Sequence, residues 1–173
     1  MKSEKTLKIL ALLGIVGFCI VYRLLSQEPN FSPLAAAALF SGFLFPSIGF
    51  LIPLSILLIS DFIFGFYSSL PFVYLGFFIV FFLGRKIARL EFLRVFFAAL
   101  GGSFSFFLIS NFGHWLMTSM YSKTISGLVE CYVAAIPFFR ASLVGDLFFA
   151  GVFFGVYALA QKSILASSPN QKA

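Results

Sequence analysis

Between Asn30 and Ser60 the chain carries no charged residue at all. An uncharged stretch of that length cannot cover the outside of a small soluble domain, where about a quarter of residues are normally charged. The rest of the sequence follows suit. Of 173 residues, 61% are hydrophobic, 27 are Phe and only 10% are charged. A soluble fold of this size has too much surface facing water to hide so many apolar side chains. The chain is therefore read as an integral membrane protein, with the bilayer as a partner. A soluble enzyme, a nucleic-acid-binding domain and a disordered chain are excluded. The net charge of +6 is no argument for nucleic acid, because membrane proteins use basic loops to set their orientation.

A helical span needs about 20 residues, so the chain has room for six spans and short loops and forms a single transmembrane domain, 1–173. The expected spans are 7–25, 33–45, 48–67, 70–84, 95–112 and 141–160. The first follows Lys2, Lys5 and Lys8 and leaves through Arg23, Ser26, Gln27, Glu28 and Pro29. No small-residue cleavage site follows it, so it is read as a retained span and not a signal peptide. The uncharged run is split by the turn signal Pro46, Ser47 and Gly49. The second span is short, which suits a tilted or partly re-entrant helix.

Charge supports that division. With both termini inside, nine basic residues (Lys2, Lys5, Lys8, Arg85, Lys86, Arg89, Arg94, Lys162 and Lys172) lie on the inner side and three (Arg23, Lys123 and Arg140) on the outer. This is the positive-inside asymmetry. Merging the second and third spans would carry the basic loop at Arg85 to the wrong face. The long outer segment 113–139 contains an apolar stripe, Ile125, Leu128, Val129, Tyr132 and Ile136, at helical spacing. It predicts a separate amphipathic helix at the outer interface, ended by Pro137.

Polar groups inside a membrane are costly and call for an explanation. Asp61 and Asp146 each lie about six residues below the outer end of their spans, roughly 9 Å deep at 1.5 Å per residue. Asn111, His114, Trp115, Tyr121, Glu130 and Arg140 gather at the same side. One reading is an outward-open pocket floored by the two Asp and rimmed by the other six, with aromatic walls suited to a ring-bearing small molecule. The other is structural: the carboxylates cap backbone groups or pair with Arg140 or Asn111 to lock helices. No metal site and no cofactor are expected, since His114 is the only His and no ligand spacing accompanies it. Ser110 and His114 lack a nucleophile elbow or an orienting acid placed by sequence, so the chain is not expected to be an enzyme. Small residues at Ala11, Gly14 and Gly17, and at Ala38 and Gly42, permit close helix packing, either within the bundle or against a partner subunit.

Four segments carry a resemblance. They are Asn30-Phe31-Ser32-Pro33, the stretch Ser60 to Tyr67, Asn111-Phe112-Gly113-His114-Trp115, and Tyr132 to Arg140 running on to Gly145-Asp146. Together with six spans and a site on the outer side, they resemble an uncharacterised family of bacterial membrane proteins related to the substrate-binding S-components of energy-coupling-factor (ECF) importers. The resemblance covers about Asn30 to Tyr157. It implies capture of a vitamin-like or metal-type micronutrient at the outer face of the bacterial inner membrane. Separate transmembrane and ATPase subunits would supply the energy. S-components often carry A-x-x-x-A on the first span, whereas here Ala11 is followed four residues later by Ile15. Two other readings stand beside it: a small transporter that works without partners, and a non-catalytic assembly or scaffold protein.

Overall fold

The computed structural model describes residues 2–26 and 30–166. Among these, six helices form: α1 (Lys2–Leu25), α2 (Leu34–Leu44), α3 (Leu51–Phe64), α4 (Leu70–Arg85), α5 (Phe92–Met117) and α6 (Ile125–Ala166). The turn at 45–50 separates α2 from α3, where the Pro and Gly signals place it. Gly65, at φ 97°, ends α3 in a conformation that costs glycine little. Pro71 opens α4 within its first turn, where a missing N–H breaks no helical bond.

Neighbouring helices alternate in direction. Phe72 and Gly76 of α4 meet Gly113 and Phe106 of α5, and Val80 meets Gly102 further along, so the pair is antiparallel. Phe107 packs against Phe139 of α6 with ring centroids 4.6 Å apart, Ser103 bonds Asp146, and Val95 and Phe154 share a pocket wall, so α5 and α6 are antiparallel too. Arg23, Asp61, Asn111 and Asp146 accordingly fall towards one end of the bundle, and Arg85, Lys86, Arg89, Arg94 and Lys162 towards the other. Lys172, Gln27, Glu28 and Pro29 lie outside the described residues.

Three helices are long and apolar enough to cross a membrane, over Thr6–Arg23, Phe92–Met117 and Ile125–Ser163, and the chain is a membrane protein on that ground. The large apolar side chains Phe62, Phe92, Phe97, Phe104 and Phe148 point outward, as suits a surface bathed in lipid. The other three helices are shorter. At 1.5 Å per residue α2 extends only about 16 Å, half of a bilayer core of roughly 30 Å.

That short helix is the centre of the molecule. Ten of its eleven residues are buried, all but Phe43. It packs on α4 backbone against backbone: a Cβ at Gly42 would collide with the Phe81 carbonyl oxygen, and one at Gly84 with the Leu39 carbonyl oxygen. Its other side carries Phe40, fully buried among Phe153, Phe154 and Tyr157 of α6 at ring separations of 4.9–6.3 Å. The hydroxyl of Ser41 donates to its own helix at the Ala38 carbonyl (2.9 Å), so no unsatisfied donor enters this core. Ala38 and Gly42 are thus consumed inside the bundle and offer no face to a partner subunit. On α1, Gly14 and Gly17 have nothing within 4 Å of an added Cβ.

The outer segment departs from its sequence reading. Residues 125–166 form one helix with Pro137 inside it; there is no separate interfacial helix. A proline removes one backbone donor and crowds the preceding turn, but this helix is held on both sides of it. Tyr132 donates to the Leu108 carbonyl at 2.7 Å, and Phe139 lies against Phe107. The buried row is Gly127, Cys131 and Ala135, with Leu128 and Tyr132 half-buried, while Ile125, Val129 and Ile136 are exposed. Small residues allow the approach to α5, and the bulky ones are left outside.

Gly84→Ala is expected to cost about 1–3 kcal/mol through overpacking, read as a lower midpoint of thermal unfolding in detergent. Gly14→Ala, where space is open, should leave the midpoint unchanged. Equal midpoints for both variants would contradict the backbone contact between α2 and α4.

Candidate functional site

Helical spacing gathers polar groups on two facing helices. On α5, Ser103, Phe106, Ser110 and His114 recur every three or four residues and share one side, with Asn111 beside them. On α6, Ser142 and Asp146 stand one turn apart. The end of α1 adds Arg23, the α1–α2 linker adds Asn30 and Ser32, and the α3–α4 linker adds Tyr67 and Ser69. Leu34 and Ala35 of α2 and Val73 and Phe77 of α4 close the apolar side. The result is a cavity of about 430 Å³ lined by these groups except Ser103, which lines the pocket beside it. A pocket of about 330 Å³ shares Asn30, Phe106, Ser110, Asn111 and Ser142 with it and continues between α5 and α6 towards Phe138 and Phe139. A hollow of about 460 Å³ between α1 and α6 is comparable in size but lined almost wholly by apolar side chains.

The two carboxylates separate. Asp146 lines the cavity, is 8% exposed, and accepts the Ser103 hydroxyl at Oδ2 (2.6 Å). Asp61 is 2% exposed and is not part of that lining. Its Oδ2 accepts the Tyr74 hydroxyl at 2.6 Å, and its Oδ1 faces the Arg23 guanidinium at 3.5 Å. The partners weighed in the sequence, Arg140 and Asn111, are not the ones it takes. Arg23 therefore stands between Asp61 and the cavity. Its Nε is buried and, among the described residues, has no hydrogen-bond partner.

Asn111 and His114 line the cavity as well. The Asn111 amide donates to the Phe107 carbonyl at 2.8 Å, and the ring of His114 meets Tyr121 at 6.2 Å. Trp115, Tyr121, Glu130 and Arg140 are not among the lining residues. The Trp115 indole donates to Ser122 (2.8 Å), and Lys123 donates to the Trp115 and Thr118 carbonyls, capping the C-terminal end of α5 with a cation. Glu130 accepts from Ser126 at 3.1 Å on the exposed side of α6. Ser110 donates to the Phe106 carbonyl at 2.7 Å rather than to His114. Among the described residues no group of three or more His, Cys, Asp and Glu side chains is placed to hold a metal ion.

Sequence reasoning missed Arg23, Tyr67, Tyr74, Ser103 and Ser142. Arg23 reads as an ordinary span-boundary charge. A depth match with Asp61 across the alternating helices was the available signal. Serines in a membrane helix are common; Ser103 also lies 3.1 Å from the Ala99 carbonyl of its own helix, and nothing in spacing alone shows that its hydroxyl reaches Asp146 or that Ser142 faces the cavity.

The sequence profile of a family of unknown function (DUF6580) matches residues 3–169, nearly the whole chain, and the chain belongs to that family. No curated protein and no solved structure matches it.

Hydrogen bonds to charged groups are worth about 1.5–3 kcal/mol. Tyr74→Phe is expected to lower stability by that amount, because it strips a buried carboxylate of its shortest bond. Asp61→Asn should cost at least as much, since its amide oxygen still accepts from Tyr74 but its NH2 then faces the Arg23 guanidinium and leaves that cation uncompensated. Thermal unfolding of the two variants checks this ordering; a neutral Tyr74→Phe would contradict the Asp61 assignment.

Proposed function

We propose that this protein binds a small organic solute in the polar cavity between α1, α4, α5 and α6, as the capture subunit of an uptake system. The observation that carries the reading is the cavity itself. In a chain so apolar, two titratable side chains, an arginine and several amides and hydroxyls converge on one hollow of about 430 Å³ at one end of the bundle. That volume suits a drug-sized or vitamin-sized molecule. The alternating helices, with basic linkers at the opposite end, support six membrane passes with both termini inside. The cavity then opens outward from a bacterial inner membrane. The likeness to ECF S-components supports a division of labour in which a transmembrane partner and ATPases drive release. The ligand remains the chemistry of the cavity, not a name carried over from that family.

Native mass spectrometry of protein purified from its host tests this. A co-purifying small molecule is expected on the wild type and should be absent from Ser142→Trp, which fills the cavity, with thermal stability retained. A molecule held equally by both, or by neither, would contradict solute binding here. Reconstituted alone in liposomes, the chain should bind solute without concentrating it.

A further inference from the structure

The charges around the cavity do not balance, and the imbalance points to the ligand. Arg23 is turned to Asp61, which compensates it. Asp146 is as deeply buried as a core residue, yet its partner is a neutral hydroxyl, Ser103. Among the described residues no cation lies within ion-pair reach of it. A carboxylate taken out of water without a counter-charge is expensive. In a membrane helix such a group usually marks a functional pairing. The cavity that Asp146 lines also carries Arg23, but that guanidinium is paired with Asp61 and forms no ion pair with Asp146. Aromatic rings of Phe77, Phe106 and Tyr67 line the same space; aromatic faces attract both flat rings and cations.

We infer that the solute carries a cationic nitrogen, such as a protonated amine, next to a flat ring, and that Asp146 is its anchor. This rests on the solute-binding reading above and adds the charge of the ligand to it. The nitrogen supplies the missing positive charge and donates to the carboxylate in a charge-assisted bond. The ring lies against the aromatic wall. Ser103 holds the carboxyl group in place by occupying one of its oxygens.

Three probes that share an indole ring and an ethylene arm separate charge from ring: tryptamine (cationic), tryptophol (neutral) and indole-3-propionate (anionic). Isothermal titration of each into the purified full chain in nanodiscs gives the comparison. Tryptamine is expected to bind at least tenfold more tightly than tryptophol, and indole-3-propionate most weakly. Asp146→Asn should erase the advantage of tryptamine and leave tryptophol unchanged; Asp146→Glu should restore part of it. Because the probe comparison on the wild type stands alone, a variant that fails to fold does not shield the claim. Equal binding of amine and alcohol, or tightest binding of the acid, would overturn the cationic ligand and leave solute binding intact. No binding by any of the three would overturn the cationic ring-bearing ligand, while solute binding itself stands or falls on the molecule that co-purifies with the wild type and not with Ser142→Trp.

Discussion

Everything in this bundle is arranged around an eleven-residue helix that is buried on nearly every side. A helix satisfies the backbone hydrogen bonds of its interior, so the middle of α2 can sit in an apolar surrounding. It can do so only if neighbours come close enough to leave no void. Ala35 to Ala38 and Gly42 keep its surface thin, Gly84 removes the last obstacle on α4, and Phe40 fills the opposite side against α6. Being only about 16 Å long, α2 cannot fill the depth of the bundle. Its start at Leu34 is part of the cavity wall. The helices that wrap it continue past that level and enclose a hollow above its first turn. The site exists because the central helix is short.

The polar groups then divide by what they meet. Asp61 finds Tyr74 and Arg23 on adjoining helices and is locked between them. Asp146 faces the hollow with one hydroxyl for company. Two carboxylates of similar depth in the sequence thus have different surroundings, the first joining α1 to α3 and α4, the second lining the cavity.

Much of the architecture was legible in the sequence. The apolar runs and their Pro, Ser and Gly interruptions place α1 to α4 within a few residues, and the depth of Asp146, Asn111 and His114 places them at one end. Pro137 misled because a proline weakens a helix locally, whereas contacts from Tyr132 and Phe139 to α5 hold both halves of α6 in line. Its stripe misled for a related reason. In water the bulky apolar residues turn inward, but against lipid they can stay outside while Cys131 and Ala135 make the close approach. The Arg23–Asp61 pair spans 38 positions of sequence, and such a pairing is set by how helices meet, which no local pattern encodes.

The central claim is a solute cavity open to the outside, and site-directed labelling addresses it most directly. In a background with Cys19 and Cys131 replaced by Ala, single cysteines at Ser142 in the cavity and at Arg89 on the basic linker would be exposed to a membrane-impermeant maleimide in intact cells. Labelling at position 142 and protection at position 89, reversed in inside-out vesicles, is the predicted result. Labelling of position 89 from outside with position 142 protected would contradict the account.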